Sequence, residues 1–180
     1  MNRTSIILQV RLASTRLPGK LLLPLCGKSI FEHILLRLKC ATVASSIIVA
    51  APHNTADAIR SLVEQYGVSL HIGSEEDVLR RFVEAARVHD VQTVVRATGD
   101  NPLVSIDYLD RAVLLHHEEH ADLTLYPQLP YGAGVEVIRR TVLEKAHRAA
   151  RDPFEREHIT QYIYRHEPEY TLVRGIPEEE

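Results

Sequence analysis

The chain has 180 residues, 45% hydrophobic and 25% charged, which suits one globular domain over residues 1–180 that buries about 70% of its unfolded surface. Its net charge of −3 argues against a broad nucleic-acid-binding face, which usually runs basic. Cys26 and Cys40 form no CxxC pair and no apolar run reaches membrane length, so a cytoplasmic protein with reduced thiols and no membrane partner is expected.

In chain order, Ile6–Val10 reads as a first strand. It runs into Gln9-Val10-Arg11-Leu12-Ala13-Ser14-Thr15-Arg16-Leu17-Pro18-Gly19-Lys20. Ser29 and Glu32 match a capping box and open a helix to about Leu38. Ser46–Ala51, stopped by Pro52, reads as a buried parallel strand. A helix follows from near Asn54 with Ile59, Leu62, Val63 and Tyr66 on one face, ending at Gly67. Val68–Ile72 is the next strand, and Ser74-Glu75-Glu76-Asp77 caps a helix carrying Val78, Leu79, Phe82, Val83 and Ala86. Thr93–Ala97 is another buried strand, and Ser105 caps a helix toward His117. Leu123–Leu125 and Val135–Ile138 are shorter strands, and Tyr126–Gly134 is a loop rich in Pro and Gly, a lid candidate. Thr141–Glu144 matches a second capping box. A last helix is expected from about Phe154 to Tyr164, then a strand at Thr171–Val173.

Strands alternating with helices of about this length imply βαβ units: an α/β fold with a mostly parallel sheet and helices on both faces. In such a sheet, ligands bind beyond the carboxyl ends of the strands. The first strand is followed there by Arg11, Arg16 and Lys20, with Ser14, Thr15 and Gly19 among them. Guanidinium forks, a mobile ammonium and a close backbone can hold a polyanion such as a triphosphate. Read alone, the segment is also a basic surface loop. Thr98-Gly99-Asp100-Asn101-Pro102 follows a later strand, as a turn or as the seat of a hard cation such as Mg²⁺ on Asp100.

Gly27-Lys28-Ser29 mimics the end of a P-loop, but Leu22 stands where its first glycine is needed. No GxGxxG follows the first strand, which disfavours a dinucleotide site. Arg96, inside an apolar strand, calls for either an internal salt bridge or a ligand. His116, His117 and His120 cluster without an HExxH pattern and read as the polar end of a helix.

The first loop and the Gly99-Asp100 segment resemble the cytidylyltransferases that activate acidic sugars, the makers of CMP-ketodeoxyoctonate and CMP-neuraminate. The likeness extends over nearly the whole chain. Gly27-Lys28-Ser29, Ile48–Ala51, Gly73–Leu79, Val95–Leu103, Gly134–Val137 and Glu155–Thr160 are closer still to the spore-coat polysaccharide (SpsF-type) branch. The resemblance implies the nucleotide-diphospho-sugar transferase form of the three-layer, Rossmann-like α/β sandwich.

It further implies that Arg11, Ser14, Arg16, Gly19 and Lys20 bind the triphosphate of CTP or another NTP, Lys20 opposing charge on the α-phosphate. Gln9, Ala51 and Thr98 would complete the nucleotide site, with Gln9 and Ala51 near the base. Asp100 would hold Mg²⁺; Arg11, Arg16, Lys20 and Asp100 would carry catalysis. Asn101, Glu136 and Arg156 would face a sugar or sugar-acid substrate, and a homodimer fits the family. The family continues with a further strand, helix and metal-binding acidic residue, so Glu136 is a candidate second carboxylate. The expected function is an Mg²⁺-dependent nucleotidyltransferase releasing pyrophosphate for surface polysaccharide synthesis. A catalytically inactive nucleotide-binding module or partner subunit is the alternative, and a non-sugar alcohol acceptor is a further one.

Overall fold

In the computed structural model, residues 3–13 and 17–178 are described. Their first strand, β1 (Thr4–Gln9), is buried for all but its last residue. It is flanked in parallel by β4 (Ile47–Ala51) and β6 (Thr93–Thr98), and β5 (Ser69–Ile72) extends the parallel set beyond β4. These strands are nearly continuous Val, Ile, Leu and Ala because both their faces are covered. Beyond β6 come β8 (Glu136–Arg139), antiparallel to it, then β7 (Leu123–Leu125) and β9 (Leu172–Arg174). The described residues thus form a seven-stranded sheet in the order β5-β4-β1-β6-β8-β7-β9, parallel except for β8.

Two apolar clusters lie on opposite faces of this sheet, which gives three layers. On one face α1 (Ile30–Leu38), α2 (His53–Gln65) and α4 (Ile106–Glu118) bring Phe31, Ile34, Ile59 and Leu109 against Leu8, Val49 and Val95. On the other, α3 (Val78–Val88), α5 (Arg140–Ala149) and α7 (Gln161–Arg165) bring Phe82, Leu143 and Ile163 against Ile7, Ile48 and Val94. Alternate residues of one strand serve opposite faces, as strand geometry requires. Among the described residues no helix is long and apolar enough to cross a membrane.

The expected α/β fold is present, with local corrections. The Ser29–Glu32 capping box closes as expected: Glu32 N–H donates to Ser29 Oγ and Ser29 N–H to Glu32 Oε2. The Thr141–Glu144 box does not form. Helix α5 already begins at Arg140, so Thr141 lies inside it, and Glu144 pairs instead with Arg87 at 2.8 Å. The expected last helix is two pieces, α6 (Pro153–Glu157) and α7, separated at His158, whose backbone (φ −105°, ψ 81°) leaves the helical region. Between them Ile159 and Thr160 are buried, so the break turns both side chains inward. A hairpin was not anticipated: β2 (Pro24–Leu25) pairs with β3 (Lys28–Ser29) around Cys26 and Gly27, at φ 48° and 82°. Positive φ at both central residues is the type I′ hairpin turn, so Gly27-Lys28-Ser29 is hairpin rather than phosphate loop.

Candidate active site

β1, β4 and β6 are in register, Gln9 opposite Ala50 and Thr98, so their carboxyl ends open on one crevice. The first loop leaves β1 and is tied down at three points. Leu12 N–H donates to Thr55 Oγ1 of α2 (2.9 Å), Gly19 N–H donates to the Leu12 carbonyl (3.2 Å), and Leu21 is buried in the core. Gly19 sits at φ 67°, a conformation glycine adopts without strain, and turns the chain into the short 3-10 helix Lys20–Leu22.

Across the crevice, Gly99 N–H donates to the Gln9 carbonyl at 2.8 Å. A Cβ on Gly99 would lie 2.9 Å from Val10 Cγ1 and 3.1 Å from that carbonyl oxygen. Only a glycine lets the two segments approach this closely, and the approach brings Asp100 under the first loop. Lys20 Nζ stands 3.4 Å from Asp100 Oδ2. Burial opposes ionisation of Asp100, but the Thr98 hydroxyl and the Lys20 ammonium outweigh it and hold its carboxyl below the ordinary value. Asp100 is therefore anionic at neutral pH.

The other expected residues are placed as follows. Gln9 ends β1 with Oε1 buried and without a hydrogen-bond partner among the described residues, and Ala51 ends β4, buried. Arg11 is half exposed and its Nη1 reaches Glu157 Oε1 of α6 at 3.1 Å. Ser14 and Arg16 lie outside the described residues. Asn101 sits beneath the Tyr126–Gly134 loop: a Cβ on Gly132 (φ 84°) would come within 3.1 Å of Asn101 Oδ1, and Ser105 N–H donates to the Ala133 carbonyl.

Arg96 and Glu136 face each other across β6 and β8 in a 2.6 Å ion pair, which decides for Arg96 the question its sequence left open. Thr160 Oγ1 and Tyr164 Oη also donate to Glu136, at 3.3 and 2.6 Å. Burial, then the Glu136 charge, pushes the Tyr164 phenol up, so it stays protonated and donating. Arg156 donates to Asp77 Oδ2 (2.5 Å) and to the carbonyls of His147 (3.2 Å) and Ala150 (3.0 Å). It joins α6 to the start of α3.

The sequence reading missed Glu157, Thr55, Thr160 and Tyr164, the partners that set these side chains. They act over separations of 24 to 146 residues, for which a single sequence carries no local signal.

Among the described residues no group of three or more His, Cys, Asp or Glu gathers as a metal site. One ionised carboxylate at a crevice lined by cations is nonetheless the donor set that suits a hard cation arriving with its phosphates. Such an ion takes one or two protein carboxylates and fills its shell with substrate oxygens and water.

A family model described as Cytidylyltransferase matches residues 5–179. The chain belongs to the cytidylyltransferase family. The Bacillus subtilis spore coat polysaccharide biosynthesis protein SpsF is 32% identical, the match covering 96% of this chain and 74% of that one. A 3-deoxy-manno-octulosonate cytidylyltransferase of Geobacter metallireducens is 31% identical over 62% of this chain and 43% of its own. The solved structure of a cytidylyltransferase from Leptospira borgpetersenii superposes with a TM-score of 0.92 at 30% identity, covering 99% of this chain and 78% of that one. The resemblance carried by the first loop and the Gly99-Asp100 segment is thereby borne out, as are the enzyme class and the fold it implied.

Proposed function

We propose that this cytidylyltransferase transfers the cytidylyl group of CTP to an oxygen of a sugar or sugar acid used in surface polysaccharide synthesis. The observation that carries the reading is the meeting of Lys20 and Asp100, a cation and an ionised carboxylate, where β1 and β6 open on one crevice. In the reaction an acceptor oxygen attacks the α-phosphorus, the bond to the bridging oxygen breaks, and pyrophosphate leaves with the electron pair. This chemistry needs positioning and charge stabilisation more than covalent help. Arg11, Gly19 and Lys20, with Ser14 and Arg16, would hold the triphosphate, and Lys20 would face the charge that grows on the α-phosphate. Gln9, Ala51 and Thr98 would border the nucleoside; the partnerless Gln9 Oε1 can accept from an exocyclic amino group, which cytosine has and uracil lacks. Asn101 would meet the acceptor beneath the Tyr126–Gly134 loop.

Asp100 would hold Mg²⁺ jointly with triphosphate oxygens, and the ion would supply further neutralisation of the transferring group. Glu136, the candidate second carboxylate, is engaged by Arg96, Thr160 and Tyr164. Glu136, so engaged, would face the acceptor rather than hold the metal, and Arg156 would stay at the sugar side.

The test is pyrophosphate release from CTP, UTP, GTP and ATP with a panel of sugar acids and neutral sugars, with and without Mg²⁺. Release that needs CTP, one acceptor class and the metal is expected. Tight CTP binding with no release for any acceptor would establish the inactive module instead.

A further inference from the structure

Arg81 is the bulkiest of the fully buried side chains, with 1% of its surface exposed. It lies in the first turns of α3, in a helix face otherwise made of Val78, Leu79, Phe82 and Val83. A guanidinium has five N–H donors and carries its charge at any physiological pH. Here Nη1 donates to the Ser74 carbonyl, whereas the buried Nε has no acceptor among the described residues. Among the described residues no carboxylate forms an ion pair with it.

The surrounding charges do not repair this. Burial, and then the nearby Arg11, pulls its pKa down to about 10 against an opposing pull from Glu75. One neutral carbonyl is poor compensation for a desolvated cation, and an uncompensated buried charge is strongly destabilising. Yet the backbone makes room for it. A Cβ on Gly73 would lie 2.9 Å from Arg81 Cγ and 3.2 Å from Arg81 Cβ. Gly73 follows β5, and its N–H donates to the carbonyl of Ala51, at the carboxyl end of β4. The unpaired guanidinium is therefore held at the site end of the sheet, within electrostatic range of the first loop.

We propose that Arg81 binds an oxyanion of a substrate from beneath the first loop: a phosphate of the triphosphate or the carboxylate of a sugar acid. This deepens the functional reading above and rests on it for the identity of those substrates. The arrangement has the chemistry of a charge paired by its ligand rather than by the fold. Arg11, flanking the same space, favours the phosphate of the two sources. Stability given up to an unpaired cation would return as affinity when the anion arrives.

The experiment compares the wild-type chain with Arg81→Met and Arg81→Lys. Melting is followed against CTP, cytidine and inorganic tripolyphosphate, and the KM for the sugar acid is measured in parallel. Without ligand, Arg81→Met is expected to melt at or above the wild-type temperature, because it removes a desolvated charge and keeps an apolar stem. CTP and tripolyphosphate should each bind it about 10- to 100-fold more weakly, the range for losing a charged hydrogen bond, with cytidine unchanged. Arg81→Lys, which keeps the charge and loses the fork, should fall between and guards against a Met variant that fails to fold. Unchanged CTP affinity with a sugar-acid KM raised by the same factor would assign the oxyanion to the carboxylate and support the proposal. A lower melting temperature with every affinity unchanged would make Arg81 a structural clasp and overturn it. Arg81-dependent stabilisation by tripolyphosphate in a protein that ignores CTP would sink the nucleotide reading and leave the oxyanion site standing.

Discussion

The two ends of the central sheet hold opposite kinds of polar group. At the amino end a cavity of about 480 Å³ is lined by Gln92, Thr93, His116, His117, His120, Arg139 and Thr141. Most of its polar groups answer one another: His116 Nδ1 meets Thr124 Oγ1 at 3.1 Å, His117 Nε2 meets Thr4 Oγ1 at 3.2 Å, and Arg139 donates to the carbonyls of His120 and Ala121, while the neighbouring Arg140, its Nε left over among the described residues, still pairs with Asp90 at 3.5 Å. The carboxyl end carries unanswered groups, Gln9 Oε1 and Arg81 Nε, and cations in opposed pairs that a ligand could divide. A defined cavity and histidine density point to the amino end, whereas strand polarity and unmet valence point to the other. The polar groups without partners are the better guide, because satisfied groups have little left to offer a ligand.

The largest expected effect tests that contrast directly. Lys20→Ala should lower turnover by about 100-fold or more, as for loss of one charge donor to a transition state. The folded state should barely notice, because the Lys20–Asp100 pair is partly exposed, with side chains 29% and 52% accessible. Pyrophosphate release and the melting temperature, measured on the same sample, separate the two. His120→Asn at the opposite end should leave turnover unchanged. Near-normal turnover in Lys20→Ala, or a large loss in His120→Asn, would reverse the assignment of the ends.

Most of the architecture was legible because it rests on local pattern. Buried runs such as Ile47–Ala51 and capped helix starts such as Ser29 and Ser105 announce themselves within ten residues. The first loop and Asp100 were legible for a related reason, since each follows a recognisable strand. The errors fall where distant residues decide. The Thr141 box lost to a helix that began two residues earlier, with Glu144 drawn to Arg87. The last helix broke where burial of Ile159 and Thr160 outweighed helical continuity. Arg81 carried no signal of the kind Arg96 did, because beside Arg80 on an amphipathic helix it reads as one more residue of the solvent face.

A middle-sized effect concerns how the carboxyl end is assembled. Gly99→Ala would force a methyl against Val10 Cγ1, the Gln9 carbonyl and Leu21 Cδ1, at 2.9, 3.1 and 3.2 Å. Two of these neighbours are well buried and the third is backbone, so relief must come from the Gly99–Asp100 segment itself. Overpacking of this kind costs about 1–3 kcal/mol. A lower urea midpoint with an unchanged slope is expected, together with weaker metal activation because Asp100 is displaced from Lys20. Loss of stability with metal activation intact would show that Asp100 need not be held so closely.

The smallest effect belongs to the amino end and shows in stability alone. Burial, and then the neighbouring His117 and Arg139, pulls the His116 imidazole down from 6.5 to about 4 against a weaker opposing pull from Asp122. Unfolding returns it to the ordinary value, so between pH 6.5 and 4 the unfolded chain binds the proton that the folded chain refuses. The stability associated with neutral His116 is therefore complete above pH 6.5 and is lost as pH falls toward 4, by up to about 1.4 kcal/mol per pH unit. His116→Gln can keep a polar partner for Thr124 and has nothing to titrate. Its urea midpoint should depend less steeply on pH than the wild type's across that window, while its turnover at pH 7.5 stays the same. An equally steep dependence in the variant would place the acid sensitivity elsewhere. A changed turnover at pH 7.5 would mean that the amino end of the sheet communicates with the crevice at its other end, and the two could no longer be treated as independent.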